Sequence, residues 1–289
     1  MWSARRVNRW FQNLRTHIRM LNRIRRRARD RRARFGEPLP RPFRLGVLAI
    51  MKNEAHLIDE WLRHYLSFGA DRIYLIDNGS TDDTLKKVEP WLADGRVAVL
   101  VLPEQHKQVA HYWTALQHFK IAETCDWLAF ADIDEFLFCK SGESLADYLD
   151  RQTKFDVIYT NWTNFGSSGL TAQPQSVRSS LQRCSLILDR YSKNVFRTWL
   201  PQQMDDIEVH GIRNVPPRRA KIANHDLQMN HYVAQSRDYW FNVKMKRGDA
   251  FYESQDLDRL AARFDHINAA CKDTCTRLRD LVAQQRPLP

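Results

Sequence analysis

Two carboxylates set two residues apart, Asp132 and Asp134, follow an apolar run from Trp127 to Ala131. In an extended segment, positions i and i+2 project to one side, so both aspartates would point together while Ile133 faces the core. Their α-carbons would stand roughly 6–7 Å apart, near enough for both to serve one metal ion or the phosphates bound to it. Hard oxygen ligands suit Mn2+ or Mg2+, which bridge a diphosphate and offset the charge that builds on a departing nucleoside diphosphate. An isolated Asp-x-Asp is common by chance and is normally a solvated turn. Its weight here comes from the strand in front of it.

That strand is the fourth in a regular alternation. Leu45–Met51 is a continuous apolar run, as expected of a strand buried on both faces. Leu57, Ile58, Trp61, Leu62, Tyr65 and Leu66 follow at helical spacing, and Gly69 ends that helix. Ile73–Ile76 is a second buried strand, closing in Asp77-Asn-Gly-Ser-Thr-Asp-Asp83, and the capping residues predict a helix from about Thr81 to Leu92. Val97–Leu102 is a third strand, and His106–Glu123 a third helix with Val109, Trp113, Leu116 and Phe119 on one side. Such βα repetition implies an α/β fold: a mostly parallel, Rossmann-like sheet with right-handed crossovers, flanked by helices. Ligands of these sheets lie at the carboxyl ends of the strands, where Asp77 and Asp132 both sit. Asn53 and Glu54, just after the first strand, border the same crevice, although Glu54 would equally favour a helix start. A turn or N-cap role is open to Asp77, and Ser80 and Thr81 could equally do that capping. No Gly-x-Gly-x-x-Gly or phosphate loop occurs, so dinucleotide and P-loop readings find no support.

The succession Lys52-Asn-Glu-Ala, Glu60-Trp61, Asp77-Asn-Gly-Ser-Thr-Asp82, Asp132-Ile-Asp-Glu-Phe136, Trp162, Phe165-Gly-Ser-Ser-Gly169, His210 and His231-Tyr232…Ser236…Lys244…Gly248 resembles the family 2-like and family 92 glycosyltransferases. The resemblance spans residues 45 to about 250 and rests on several motifs in order. It implies a glycosyltransferase-A fold, a nucleotide-sugar donor such as a UDP-sugar, a divalent metal and, for family 92, inversion at the anomeric carbon. Carried to this chain, it gives Asp132 and Asp134 the metal and donor diphosphate, with Asp132 also near the ribose, and gives Asp77 the nucleoside. One departure stands out, because the Glu-Asp pair of typical family 2 enzymes is not found.

The second half, from residue 139, is less regular, as expected of a region that binds an acceptor. Asn161-Trp-Thr-Asn-Phe-Gly-Ser-Ser-Gly169 combines aromatics with small hydroxyl residues, so Trp162, Phe165, Ser167 and Ser168 are candidate acceptor contacts. A glycine-rich turn over a core Trp and Phe is the alternative. His231 is expected to complete the metal's coordination through a neutral imidazole. Lys244, Lys246 and Arg247 are placed to neutralise the leaving diphosphate. Inverting transfer also needs a base for the acceptor hydroxyl. Asp205, Asp206 and Glu208 are candidates, with a solvated loop as the alternative, and His210 and His225 are read as structural.

Charge divides the chain sharply. Residues 1–44 hold 15 arginines against Asp30 and Glu37, while the remaining 245 carry 30 basic and 32 acidic side chains. The global excess of +11 therefore sits in one arm and says little about the globular part. In that arm Val7, Trp10, Phe11, Leu14, Ile18, Leu21 and Ile24 form one helical face among arginines, before Pro38, Pro40 and Pro42 break the pattern. A basic amphipathic helix over residues 1–35 fits an anionic membrane surface, and nucleic-acid binding is not expected. Five scattered cysteines favour a reducing compartment over a disulfide scaffold, and apolar runs are too short to span a bilayer. The expected organisation is an arm and linker (1–44), a catalytic domain (45–255, with a nucleotide-binding half to 138) and a C-terminal helical segment (256–289). A cytoplasmic enzyme held at the inner membrane face, acting on a glycan or lipid-linked hydroxyl, is the reading that follows. The rivals are a nucleotidyltransferase and a non-catalytic membrane-tethered binding module.

Overall fold

The computed structural model describes residues 41–247 and 257–285. The basic arm lies outside the described residues, as does Gly248. Thirteen strands occur in the described chain. In order they are β1 (Phe43–Met51), β2 (Arg72–Asp77), β3 (Val97–Val101), β4 (Cys125–Phe130), β5 (Glu135–Cys139), β6 (Val157–Asn164) and β7 (Arg183–Cys184). Then come β8 (Ser192–Arg197), β9 (Ile207–Glu208), β10 (Gly211–Ile212), β11 (Ala220–Ile222), β12 (Leu227–His231) and β13 (Asp273–Thr274). Nine of them form one sheet in the order β3-β2-β1-β4-β8-β6-β12-β5, with β11 added beside β6.

The first half is the expected parallel unit. β1 lies between β2 and β4, both parallel to it, and β3 continues parallel from β2. Helices Ile58–Ser67, Thr84–Leu92 and Gln108–His118 connect these strands. Leu45, Val47, Leu48 and Ala49 are buried, as an apolar run between two sheet neighbours must be. The helix Ile58–Ser67 buries Trp61, Leu62 and Tyr65 against the sheet, as its 3.6-residue spacing requires.

The second half corrects the expectation of irregularity. β8 runs antiparallel between β4 and β6, β12 joins β6 in parallel, and β5 closes the edge antiparallel to β12. Both halves thus share one sheet, which is mixed on this side. Two helix boundaries also differ from expectation. The second helix starts at Thr84 rather than Thr81, because Asn53 Oδ1 accepts the amides of Thr81 (2.8 Å) and Asp82 (3.4 Å) and ties that stretch to the end of β1. The third is broken at Lys120, whose φ of 50° turns the chain so that Ile121 enters the core.

The C-terminal segment is not a separate body. Its helices are Leu257–Ala270 and Arg277–Gln284, and Leu278 belongs to the main core while Phe264 packs with Trp240. Cys271 and Cys275 flank β13, which interrupts the expected helical segment and pairs with β7. All five cysteines are free thiols. Among the described residues no helix is long and apolar enough to cross a membrane.

Candidate active site

The acidic pair sits where β4 ends. The expected extended geometry is replaced by a tight turn, with the Glu135 amide donating to the Asp132 carbonyl at 3.0 Å. Trp61 Nε1 donates to the same carbonyl at 3.0 Å, and Tyr65 Oη to the Glu135 carbonyl at 3.1 Å, so the helix Ile58–Ser67 braces the turn. Ile133 is buried as expected. β12 runs along β5 with His231 opposite Glu135, and the Tyr232 amide donates to the Asp134 carbonyl at 2.8 Å. Strand pairing therefore delivers His231 to the turn.

Each aspartate meets a lysine. Lys193, fully buried on β8, places Nζ 2.9 Å from Asp132 Oδ2 and 3.4 Å from Glu135 Oε2. Burial alone would lower the Lys193 pKa, but the Asp132 and Glu135 carboxyls outweigh it and hold the ammonium above its ordinary value. Glu135 is itself fully buried and donated to by the Asp132 amide (3.0 Å). Burial pushes its carboxyl well above the usual carboxylate range, against the pull of Lys193. Sequence reasoning passed over Lys193. A lysine within the short β-type run Ser192–Arg197 was the available signal, since a buried ammonium must be paired.

Asp134 takes the other lysine. Lys244 Nζ lies 3.0 Å from Asp134 Oδ2 and also donates to the Val233 carbonyl at 2.8 Å. It ends a single π-helical turn, Trp240–Lys244, of a kind frequent at functional sites. Although burial would raise the Asp134 carboxyl, Lys244 and His231 hold it well below the usual range. Lys246 is exposed, and Arg247 closes this helical stretch with a side chain outside those described.

The His231 ring is oriented by a relay. Asn164 Nδ2 donates to Asp189 Oδ2 at 2.6 Å, which turns Asn164 Oδ1 toward His231 Nδ1 at 3.0 Å. A neutral His231 then carries its proton on Nδ1 and its lone pair on Nε2, which stands 3.7 Å from Asp134 Oδ1. Two atoms that far apart can bind one divalent ion at ordinary metal–ligand distances. Asp132 Oδ1 has no hydrogen bond to the described residues, although its partner oxygen is held by Lys193. The donor types suit Mn2+ or Mg2+, with Asp134 and His231 placed as a pair. Among the described residues no group of three His, Cys, Asp or Glu side chains is gathered closely enough to hold a metal ion.

The other expected residues divide. Asp77 is buried at the end of β2 and accepts the amides of Gly79 (3.2 Å) and Ser80 (3.2 Å), which makes it a turn cap. Asn53 links the loops after β1 and β2, and the amide of the buried Glu54 donates to Thr84 Oγ1 at 2.8 Å. Trp162 lies 4.5 Å from the His231 ring and 5.2 Å from that of His210. Phe165 is 1% exposed and packs on Tyr232, which fits the core alternative rather than an acceptor contact. Ser167 donates to Asn268 Oδ1 at 2.8 Å, and Ser168 Oγ accepts the amides of Gln182 and Arg183, both at 3.0 Å. Glu60, from the same set of motifs, accepts from the amide of Val177 (2.9 Å) and from Arg178 Nε (2.9 Å).

Asp206 and Glu208 are engaged locally. Asp206 Oδ2 accepts the Gln202 amide at 2.9 Å, and Glu208 faces Arg213 at 3.5 Å with 43% of its side chain exposed. The excursion that carries them instead brings His210 to the site. Its ring stacks near Trp162 and Tyr191, and Lys193, Asp132 and His231 all act on its charge. Burial, then Lys193, lowers its pKa and keeps the imidazole neutral. Gly211, at φ 148°, lets the Asn194 side chain pack against its backbone, since a Cβ there would stand 2.2 Å from Asn194 Cγ.

The sheet thus gathers an acidic turn, a histidine and two paired lysines near the end of β4, the edge at which ligands of open α/β sheets bind. The family follows from comparison with known proteins. The glycosyltransferase family 92 profile matches residues 48–268, and the chain belongs to that family, as its motif order implied. A family 92 protein of Oryza sativa subsp. japonica is 28% identical over 174 residues, covering 56% of this chain and 29% of that protein. The galactan beta-1,4-galactosyltransferase GALS1 of Arabidopsis thaliana is 28% identical over 102 residues, or 32% of this chain and 20% of that protein. The chain thus spans about three tenths of the rice relative. Among solved structures, S. aureus TarS 1–349 in complex with UDP superposes with a TM-score of 0.45 and 17% identity, covering 76% of this chain and 70% of that one.

Proposed function

We propose that this protein transfers a glycosyl group from a nucleotide-sugar donor, a UDP-sugar, to a glycan or lipid-linked hydroxyl with inversion, in the synthesis of a surface polysaccharide or glycoconjugate. The observation that carries the reading is the convergence of Asp134, His231 and Lys244, with Nε2–Oδ1 and Nζ–Oδ2 separations of 3.7 and 3.0 Å, at the end of a family 92 sheet. Asp132, Asp134 and His231 would hold Mn2+ or Mg2+, which supplies Lewis-acid stabilisation of the departing diphosphate. Lys244 is positioned to exchange Asp134 for a phosphate oxygen as that charge develops. Asp77, Asn53 and Glu54 shape the nucleoside end of the crevice. Trp162 offers an aromatic face to the acceptor sugar.

For the base, the geometry favours His210 over Asp206 and Glu208. It is neutral, lies beside Trp162, and its Nε2 has no hydrogen bond to the described residues, so that nitrogen can take the acceptor's proton. Residues 1–35 would hold the enzyme at an anionic membrane surface, which co-sedimentation with anionic against neutral vesicles tests. For the reaction itself, thermal shift and donor hydrolysis are measured across UDP- and GDP-sugars, with and without Mn2+. Metal-dependent stabilisation by UDP and its loss in Asp134→Asn are expected. Equal stability with and without millimolar nucleotide and metal would overturn the proposal.

A further inference from the structure

The Ser167–Thr171 loop and the helix Leu257–Ala270 border an open pocket of about 730 Å³. Among the described residues three cations line it, Arg183, Arg237 and Lys272, and no carboxylate does. Each is exposed, and among the described residues none has an ion pair. Among the described residues the Arg183 side chain donates only a 3.4 Å hydrogen bond to Thr274, and Arg237 stacks over the Phe241 ring at 4.8 Å. The walls between them are held firmly. Asn268 Oδ1 accepts both the amide (2.7 Å) and hydroxyl (2.8 Å) of Ser167, and Asn268 Nδ2 donates to the Phe264 carbonyl at 2.9 Å. Three unpaired cations around a pre-formed concavity concentrate positive potential, which an anion relieves.

The cavity adjoins the active site. Cys271, on its wall, donates to the carbonyl of Asn164, the residue that orients His231 (3.4 Å). On the same side, Leu186, Ile187 and Leu188 are 61%, 86% and 43% exposed. Their loop is pinned out at both ends: the Leu186 amide donates to Asp273 Oδ2 (3.2 Å), and the Asp189 amide to the Trp162 carbonyl (3.0 Å). Asp273 follows Lys272, and Leu186 follows Arg183 by three residues, so the apolar tip lies roughly 10 Å along the chain from the cationic wall. Three consecutive aliphatic side chains held in water are a standing drive to bury apolar surface.

We propose that this cavity and loop together bind an amphiphile, with a phosphate group among Arg183, Arg237 and Lys272 and a hydrocarbon chain along Leu186–Leu188. Resting on the function proposed above, this makes the acceptor a phosphorylated lipid carrier rather than a free neutral glycan. Charge alone would take inorganic phosphate, and the apolar loop alone would take an isoprenoid alcohol. Only the pair selects a molecule with both.

Binding of farnesyl phosphate below its aggregation concentration is measured on the full chain by calorimetry, beside inorganic phosphate and farnesol. UDP with Mn2+ is titrated in parallel. Wild type, Arg237→Ala, Lys272→Ala and Ile187→Ser are compared. All three positions are exposed, and circular dichroism confirms folding. Farnesyl phosphate should bind at least ~10-fold tighter than either fragment, and each variant should weaken it ~10-fold or more, as loss of a charge-assisted or apolar contact does. UDP affinity should not change. Every protein retains the basic arm, so variants that bind farnesyl phosphate like wild type would place the lipid elsewhere and overturn the proposal. Inorganic phosphate binding as tightly as the ester would also overturn it. Failure of UDP to bind in all four proteins would count against the glycosyl-transfer reading, while the lipid titration would still decide the cavity.

Discussion

Replacing Lys193 by methionine keeps the length of the side chain and removes the charge that neutralises Glu135. The ammonium stands 3.4 Å from a carboxyl that is fully buried, and once that carboxyl is ionised the Coulomb attraction is about 5 kcal/mol at an effective dielectric of 20. Its 2.9 Å contact with Asp132 adds less, about 1 kcal/mol, because that side chain is 36% exposed and solvent screens it. Desolvation of the ammonium offsets part of this sum, and removing one partner of a buried pair costs about 3–5 kcal/mol overall. A drop in Tm on the order of 10 °C follows. The loss must also depend on pH. Glu135 already has a raised carboxyl pKa in the folded state, and Lys193 is the group that pulls it down, so the variant raises it further. A folded pKa above the unfolded one adds stability that is fully present below the unfolded pKa and is lost as pH climbs through the folded pKa. Lys193→Met should therefore lie closest to wild type near pH 5 and fall away toward pH 8. Adding Glu135→Gln should recover most of the loss. Thermal and urea unfolding from pH 5 to 8 reads wild type and both variants. A pH-independent loss under ~1 kcal/mol would refute the picture of a buried, lysine-neutralised carboxyl.

Asp134→Asn should cut transfer at least ~100-fold while the far-UV spectrum stays native, because it removes charge but not volume from the turn. Asn164→Ala should weaken Mn2+ binding ~10–100-fold without altering the ligands themselves, since it frees His231 to take either tautomer; manganese titration by electron paramagnetic resonance measures this. If His210 is the base, transfer should fall as pH drops through its folded pKa, which burial places below the ordinary 6.5. His210→Gln should abolish that acid limb and slow transfer ~10²–10⁴-fold, and a pH–rate profile of both proteins decides the point. Gly211→Ala should lower the rate and cost about 1–3 kcal/mol, because its methyl group would overlap the Asn194 amide and push the His210 segment outward.

The sequence by itself determined the α/β class, the four parallel strands and the position of the acidic turn. Each is written in local pattern: apolar runs of strand length, 3.6-residue spacing in between, and an Asp-x-Asp directly after Trp127–Ala131. It also singled out His231 and Lys244. Its errors share a cause. The turn was read as extended because a strand pattern says nothing of where hydrogen bonding begins to curl the chain. Phe165 was read as a contact because an aromatic in a glycine-rich loop has the same composition whether it faces solvent or Tyr232. Only the tertiary structure decided that Lys193 neutralises Asp132 from 61 residues away, that Lys244 reaches Asp134 across 110, and that His210, not the acids beside it, turns toward Trp162. Those pairings depend on β8 entering antiparallel between β4 and β6 and on β12 lying beside β5. Strand order is set by the packing of the whole sheet, and no short stretch of residues contains it.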